Sequence, residues 1–515
     1  MSRLIRNVVI VALFVSVGIL HADSNWNVPY GSWSDTNNWA ELVVPSSTDS
    51  VYIANSGTSV VSVVGNTCKT LYLGYNTSAT GTLYMTGGTL TNEINIFIAY
   101  SIGSYGEFNQ SGGTNLINSM LNMAYNRDAV AVYKISGGSF VVNSDCYIGR
   151  NYGDANFYQS GDSTVQIKGN NFLIGWYNGA TGYYQQTNGY LKAVSIRMGC
   201  NATGNNGKLE LFNTAKTEAS SARIGETGYG EVNMYDSSEF AVGAIYVGSN
   251  AGSTGVVNLV SGSFVSNGRL YIGNKGNGTF NLGNASTTGQ LGLSGSSGGD
   301  LYVGYYATAT GTLNGWGNVN YKTRVRNNGR IIANGYAIDR TLDLSACNLV
   351  ENDIDNTTDN GWFAIDKGQL VLSDVTVSGT QSYNWGEASA DTSIDLVNSV
   401  RIDFVDGSGD LTGKLLASDR TDVPEGLENV IGAWSFSGVT LTSATLNFRY
   451  DDALAVEKGL SAEKLAIYQF IDGSWVRVTD SVDDTNKIIT TKSVSTLSIF
   501  AVAAAPAMGS IFIVK

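Results

Sequence analysis

One pattern of apolar and polar positions recurs along residues 66–330. Each copy opens with an apolar–x–apolar–Gly stretch, passes through a polar turn, and continues in two further stretches of alternating character. Alternation with a period of two is typical of a half-buried β-strand. The residue that ends each opening stretch aligns the copies: Gly74, Ala99, Ala124, Gly149, Gly175, Gly199, Gly225, Gly248, Gly273 and Gly304.

The spacing of these copies, about 25 residues, predicts the architecture. Repeats of that length are the signature of solenoids, whereas propeller blades need longer ones. A single unit buries too little apolar surface to be stable, but stacking merges the inward residues of neighbouring units into one core. The sequence therefore predicts an all-β protein in which residues 66–330 form a parallel β-solenoid of about ten coils.

The segments around the repeat differ from it in composition. Residues 23–65 carry Trp26, Trp33 and Trp39, and we expect them to cap the end of the solenoid, where strand edges would otherwise be exposed. The period fades over residues 331–425, where we expect an irregular solenoid end and cap. Alternating strands with Asp-Gly turns over residues 426–505 predict a small C-terminal β-sandwich, and residues 506–515 form a short apolar tail.

The N-terminus has the features of a secretory signal peptide. Arg3 and Arg6 precede an apolar run, residues 8–20, that is too short to span a bilayer, and Ala22 offers a cleavage point. Residues 1–22 are therefore predicted to be removed, which gives a secreted or cell-surface protein with no transmembrane span in the mature chain. The single histidine, His21, would leave with them, which excludes Ser-His-Asp catalysis and His-ligated metal sites.

The net charge limits the possible binding partners, and the cysteine spacing limits the possible disulfides. The net charge of −13 argues against nucleic acid, because phosphate binding needs clustered Lys and Arg. The cysteines are far apart and form no CxxC pair. An exported chain can pair four cysteines in three ways, but we favour small buried thiols for all of them. They are Cys68, Cys146, Cys200 and Cys347.

Stacked coils turn equivalent positions into ladders. The middle position of the opening strands should face outward, and it is mostly aromatic, with interruptions at Asn122, Leu173, Arg197 and Arg223. Such a stripe is a candidate surface for stacking on sugar rings. The alternative, which we favour, is that the tyrosines suit strand positions and stack on one another. The candidate ligand-binding residues are Tyr72, Phe97, Tyr147, Tyr246, Tyr271 and Tyr302.

Amide side chains form further expected ladders. Three glutamines occupy nominally inward positions and should pair with backbone or with other amides. They are Gln110, Gln159 and Gln186. An outward asparagine ladder is expected to be structural rather than a ligand site. Its members are Asn109, Asn233, Asn258, Asn281 and Asn314.

A loop over residues 352–361 is the candidate metal site. It places three aspartates at spacings that suit oxygen ligation of Ca²⁺, although it lacks the central Gly and closing Glu of an EF-hand. Asp406 and Asp410 in a later Gly-rich turn are similar. Acidic Gly-rich turns are common without metal, so Ca²⁺ is a candidate cofactor and no other is indicated. The candidate ligands are Asp353, Asp355 and Asp359.

Three parts of the sequence resemble known proteins. They are the repeated "YIG…GTL…GG" pattern, the "GSWSDTNNW" opening and the closing "LAIYQFIDGSWVRV" module. The chain resembles the exported β-solenoid passengers of autotransporter-like bacterial surface proteins and the repeat proteins associated with PEP-CTERM sorting. The resemblance implies an exported repeat protein at the cell surface. The sequence shows neither a translocator barrel nor a Pro-Glu-Pro sorting motif, so we expect neither self-export nor PEP-CTERM sorting.

Two functions remain open from the sequence. The first is a non-catalytic secreted or cell-surface scaffold or adhesin that contacts an extracellular glycan or another cell-envelope component. The alternative is a polysaccharide lyase or glycoside hydrolase, since parallel β-helices host such enzymes, but fold analogy alone does not establish function. We favour the first, because charged residues such as Asp154, Asp162, Arg197 and Arg223 are expected to be solvated outer positions rather than a catalytic group.

Overall fold

A computed structural model of the protein describes residues 23–289, 291–295, 299–326, 328–334, 340–344, 348–349, 362–367, 369–385, 398–416 and 423–505. These residues form a parallel β-solenoid of about 12 turns followed by an antiparallel sheet, which confirms the predicted fold class. Several predicted features lie outside the described residues: the signal peptide 1–22, the tail 506–515, Cys347, and the proposed calcium ligands Asp353, Asp355 and Asp359.

Each coil contributes up to three strands. The first strand ends just before the aligned glycine or alanine, and the second and third strands follow it along the chain. The second strands form a separate 14-stranded sheet in which each strand pairs in parallel with those of the coils before and after it. They are Tyr30–Ser32, Thr58–Val61, Thr80–Met85, Tyr105–Gln110, Val130–Ile135, Asp154–Gln159, Thr181–Gln186, Asn206–Leu211, Tyr229–Met234, Thr254–Leu259, Asn277–Leu282, Thr310–Gly315, Asn328–Asn334 and Trp362–Lys367.

First and third strands belong to the other sheet. The first strands are Ser24–Asn25, Ser50–Ile53, Thr70–Leu73, Ile96–Ile98, Leu121–Met123, Cys146–Ile148, Phe172–Ile174, Leu270–Ile272, Asp300–Val303, Lys322–Val325 and Asn348–Leu349. The third strands are Asn66–Cys68, Thr89–Asn92, Thr114–Ile117, Ser139–Val142, Thr164–Ile167, Ser263–Ser266, Gly292–Gly295, Gly317–Asn320 and Thr341–Asp343. In three coils a third strand runs straight into the next first strand, as Tyr190–Met198, Lys216–Ile224 and Glu239–Val247.

The coils stack in register, as the repeat predicts. Leu71, Tyr72 and Leu73 pair with the residues one period later, Ile96, Phe97 and Ile98. The flanking apolar residues of these strands are fully buried and the middle residues face outward. The buried residues of successive coils join into a single elongated core.

A glycine on the inner side of the second strand lets this stack close. The Gly74 N–H donates to the Ile53 carbonyl oxygen of the preceding coil, with 2.9 Å between nitrogen and oxygen, and Gly81 lies beside this hydrogen bond. A Cβ atom on Gly81 would lie 1.8 Å from that oxygen. Gly74 itself has a φ of +71°, in the left-handed region that glycine adopts without strain. In this coil neither position has room for a Cβ, because one on Gly74 would collide with the Tyr105 carbonyl oxygen. A later coil has alanine at both corresponding positions, Ala124 and Ala131, so the requirement is local to this turn.

The three inward glutamines are paired as the sequence predicts, with one addition. Gln110 donates to the Ser139 carbonyl at 3.0 Å, and Gln159 donates to the Tyr190 carbonyl at 3.1 Å. Their side-chain carbonyls accept from tyrosine hydroxyls, at 2.8 Å from Tyr133 to Gln110. Gln186 is also fully buried and donates to backbone carbonyls. The expected backbone pairing is confirmed, and a tyrosine or threonine hydroxyl takes the place of a second amide.

The asparagine ladder is confirmed over four coils. The Asn258 amide donates to Asn233 at 2.7 Å, and Asn281 donates to Asn258 at 2.6 Å. Asn314 continues the chain to Asn281 at 3.3 Å. Asn109 is not part of it, because its neighbours in register are Tyr84 and Lys134. A one-dimensional chain of amide hydrogen bonds therefore joins successive coils on the outer face of the second sheet.

Residues 24–61 already take part in the stack. Ser24–Asn25 and Tyr30–Ser32 pair in parallel with strands of the next coil, and a 3₁₀ turn, Thr36–Asn38, follows them. The tryptophans Trp26, Trp33 and Trp39 are buried, with ring centroids 4.9 and 5.0 Å apart in edge-to-face contact. Three packed indoles therefore cover the apolar interior at this end of the solenoid.

The antiparallel sheet begins within the region predicted to be the irregular end. Gln369–Trp385 starts parallel to Thr341–Asp343 and continues antiparallel to Val400–Leu415. The remaining strands are Gly432–Arg449, Leu465–Ile471, Ser474–Arg477, Thr479–Asp483, Ile488–Thr491 and Ile499–Ala504, all antiparallel to their partners. The one α-helix in the described residues, Asp452–Glu457, and the 3₁₀ turn Ala462–Lys464 lie between two of them. No helix in this described part has the length and hydropathy to cross a membrane.

We predict that Gly81→Ala destabilises the solenoid severely. The added methyl group would collide with the Ile53 carbonyl, and overpacking of this kind lowers the free energy of unfolding by about 3 kcal/mol. The measurement is urea denaturation followed by far-UV circular dichroism. Gly289→Ala is the matched control, because a Cβ there meets no atom within 4 Å. Equal stability of the two variants would contradict the close approach.

Candidate functional site

The predicted aromatic ladder lies on the outer face of the first strands. Tyr52, Tyr72 and Phe97 are neighbours in register, with ring centroids 4.9 and 5.0 Å apart and planes within 6° of parallel. Tyr52 comes from the segment expected to be a cap, and the repeat pattern did not reveal it as a member. The stack ends at Asn122, which follows Phe97 in register and is fully buried. These rings therefore stack on one another along the solenoid axis.

A second aromatic row packs against the first. It comes from the residue after each aligned glycine or alanine, which places Tyr75, Tyr100 and Tyr125 beside the ladder. Tyr75 meets Tyr72 edge-to-face at 4.9 Å, and it stacks on Tyr100 at 5.4 Å. This row was not predicted either, although the recurring position after the aligned residue was its signal. We call the two rows together the aromatic band.

The band recurs toward the other end of the solenoid. Tyr246, Tyr271 and Tyr302 stack with centroids 4.9 Å apart, and Tyr305 packs edge-on against Tyr271 and Tyr302. Tyr271 and Tyr302 are no more than 7% exposed. Between the two halves, the predicted residue Tyr147 stacks on no other ring in the described structure and meets the edge of Trp176 at 5.7 Å. The structure thus brings five of the six candidate residues into two stacks.

Stacking decides which atoms the band presents to solvent. Within each stack both faces of an inner ring are occupied by its neighbours, so solvent meets ring edges and hydroxyl groups. Burial raises the pKa of Tyr72 to about 12 and also raises the pKa of Tyr271 and Tyr302. These hydroxyls stay protonated at neutral pH. The Tyr302 hydroxyl already donates to Asp300 at 2.9 Å and the Tyr271 hydroxyl accepts from Arg269 at 3.5 Å, so Tyr302 can still accept and Tyr271 can still donate a hydrogen bond.

A cluster of arginines fills the interval between the two halves. The guanidinium of Arg150 lies over the rings of Tyr125 and Tyr147, at 4.8 and 4.4 Å from their centroids, and donates to Asn122. Arg197 lies over Trp176 at 5.7 Å. Cations over aromatic faces are attracted by the ring quadrupole, so these side chains continue the band by cation–π contact.

The expectation of solvated arginines is wrong for Arg197. Its guanidinium donates two hydrogen bonds to the Glu226 carboxylate in a bidentate ion pair, each 2.7 Å long. Only 19% of the Arg197 side chain is exposed. Arg223 donates to the same carboxylate at 3.0 Å. Stacked coils place outward side chains close to each other, and here the next coil supplies the carboxylate that pairs with Arg197. Asp154 and Asp162 are exposed, as expected.

Burial works to raise the pKa of Glu226, but the hydrogen bonds and charge of Arg197 outweigh it and hold the pKa below its ordinary value. The carboxylate therefore stays ionised at neutral pH. A buried ion pair of this geometry is a structural feature: the anion that the two arginines could bind is already supplied by the chain.

A cavity opens at the N-terminal end of the band. It has a volume of about 360 Å³ and is lined by Tyr52 and Tyr75 of the band and by polar side chains. The polar lining includes Asp23, Asn25 and Asn76. A second cavity, on the third-strand side, is lined by Lys192, Glu218, Glu239 and several small residues.

The described residues contain no group of three or more His, Cys, Asp or Glu side chains that could hold a metal ion. Of the second acidic turn, Asp406 is exposed within the strand Val400–Leu415. The described cysteines, Cys68, Cys146 and Cys200, are free and buried, which confirms the favoured interpretation for these three. Burial raises the pKa of each thiol, so the sulfurs remain protonated and unreactive.

Comparison with known proteins gave no match to any family model, curated protein or solved structure. The interpretation of the band therefore depends on its geometry.

We predict that Glu226→Gln lowers the free energy of unfolding by about 2 kcal/mol at neutral pH, because hydrogen bonds between charged groups are lost. The pKa of Glu226 is lower in the folded than in the unfolded protein, so its contribution is complete above the ordinary value of 4.5 and disappears as the pH falls through the lowered value. The measurement is urea denaturation of both proteins between pH 3 and pH 7. Asp162→Asn, at an exposed site, is the control and should change little. A deficit that persisted unchanged at pH 3 would contradict this assignment.

Proposed function

We propose that the protein is a non-catalytic secreted or cell-surface scaffold or adhesin that contacts polysaccharide through its aromatic band. The observation that carries the proposal is the in-register repetition of outward tyrosines in successive coils. A polysaccharide is itself a repeating chain of hydroxyl-bearing rings. A surface that repeats aromatic rings and hydroxyl groups over several successive coils can engage several units of one chain at once, and many weak contacts then add to a strong attachment.

The ionisation of the carboxylates supports a non-catalytic function. A glycosidase needs one carboxylic acid whose raised pKa keeps it protonated near neutral pH. In the described residues, each carboxyl group whose pKa departs clearly from its ordinary value is shifted downward, by hydrogen bonds from lysine, arginine, tyrosine or neighbouring amides. They are Glu107, Glu210, Glu218, Glu226 and Asp483.

Two carboxylates, Glu218 and Glu239, share one cavity. Lys216 contacts both, at 3.2 and 3.4 Å, and so neutralises part of their charge. The Tyr190 hydroxyl donates to Glu218 at 2.5 Å and, with Lys216, lowers its pKa. Glu218 is therefore an ionised, hydrogen-bonded surface group and lacks the protonation that an acid catalyst requires.

The predicted signal peptide and the resemblance to exported repeat proteins are consistent with this function. They favour an extracellular position, where glycans and cell-envelope polymers are the abundant partners.

The test is incubation of the purified protein with a panel of neutral and acidic polysaccharides. We expect retention in a pull-down on at least one polymer, with no increase in reducing ends and no absorbance from unsaturated products. Replacing Tyr246, Tyr271 and Tyr302 together by alanine should reduce retention at least fivefold. Tyr84→Ala, an exposed tyrosine on the other sheet, is the control.

Cleavage of any polymer would replace this proposal by the lyase or hydrolase alternative. Absence of retention on the whole panel would overturn glycan contact. Full retention by the triple variant, with circular dichroism like that of the unaltered protein, would overturn the assignment to the band.

A further inference from the structure

Each stack of rings has two ends, and only at an end can a ring offer a whole face to a ligand. In the C-terminal half both ends are covered by cations. Arg223 precedes Tyr246 in register and lies 5.9 Å from its ring centroid. Arg324 follows Tyr302 in register and lies 5.7 Å from its centroid. These two ring faces are therefore occupied by the chain itself.

The N-terminal half ends differently on its two sides. Phe97 is followed by the buried Asn122, and Tyr125 packs edge-on against its ring at 5.5 Å. At the opposite end, Tyr52 stacks on Tyr72 with one face, and its next neighbour in register is the exposed Asn25. This Tyr52 end of the stack lines a cavity.

The chemistry around Tyr52 suits a sugar ring. Tyr75 forms one wall, with its ring centroid 4.7 Å from that of Tyr52 and the two ring planes 66° apart. Asn76 and Asp23 line the cavity and are exposed, so they can bond to hydroxyl groups. The Asn25 amide is held by Glu41, to which it donates at 2.9 Å, and this fixes its position at the rim. An aromatic floor with polar groups at its edge matches an amphipathic pyranose, which has apolar C–H faces and a polar rim.

We propose that this cavity binds a hexose unit of a neutral polysaccharide, stacked on Tyr52. The inference depends on the proposed function and assigns it a specific subsite. Asp23 in the cavity and Glu41 beside it carry carboxylates, and removal of residues 1–22 would leave an α-ammonium on Asp23 that offsets one of these charges. Glu41 and the chain's net charge of −13 keep the field around the site negative. Uronic acids and sulfated sugars would be repelled, so the preferred ligand is uncharged.

The probes are cellohexaose and maltohexaose as neutral oligosaccharides and hexagalacturonate as an acidic one, with affinity measured by isothermal titration calorimetry. At least one neutral hexamer should bind, and the acidic hexamer should bind at least tenfold more weakly. Tyr52→Ala should weaken the neutral hexamer at least tenfold, and Asp23→Ala should weaken it about threefold. Tyr30→Ala is the matched control, because Tyr30 is exposed in the same terminal coil but lies on the other sheet.

Folding is checked by circular dichroism, and Asp23→Ala tests the site independently because Asp23 is exposed. Binding unchanged in both variants, or lost equally in Tyr30→Ala, would overturn the subsite. Equal affinity for the acidic hexamer would overturn the charge argument. If polysaccharides are retained but no neutral hexamer binds, this inference fails while the proposed function stands. If the panel is not retained at all, both fail.

Discussion

The outer surface of the solenoid depends on parallel, in-register hydrogen bonding between coils. In the second sheet Phe108 pairs with Leu83 on one side and Tyr133 on the other, and the same register holds along the full length of both strands. A slip of one residue would turn each apolar side chain outward, so burial of the core fixes the register. The outward side chains inherit the same alignment, and some of them, such as Tyr271 and Tyr302, are then buried by their neighbours. Ladders of like residues are therefore a consequence of the core.

The alternation of apolar and polar residues along a strand indicates which side chains face inward, and it made a large part of the fold predictable. The solenoid, the inward leucines and isoleucines, the asparagine ladder and five of the stacked aromatic residues are set by a period of two within strands and about 25 between them. Tyr75 and Tyr100 lie in turns, where no such alternation applies. The left-handed backbone at Gly74 sends the next residue back over the strand, and only the structure shows that it lands on Tyr72.

Two further features depend on information that the strand pattern does not hold. Arg197 and Glu226 are 29 residues apart, so they sit at different positions of neighbouring coils and no equivalent-position ladder joins them. The direction of a strand is likewise absent from its alternation. Gln369–Trp385 has the pattern of a solenoid strand, but it turns from a parallel partner to the antiparallel Val400–Leu415. The boundary of the C-terminal sheet thus required the structure.

A finite stack of rings is chemically uniform in its middle and variable at its ends. Inner members such as Tyr271 have both faces covered by neighbours, so adding coils lengthens the band without exposing a new face. The residue that follows or precedes the last ring of a stack determines whether the outer face of that ring is covered. Arginine at that position covers the terminal ring, as Arg223 and Arg324 do, whereas the smaller Asn25 leaves space beside Tyr52. In a solenoid of this kind the repeats build the framework, and the breaks in the repeat determine where a specific ligand can bind.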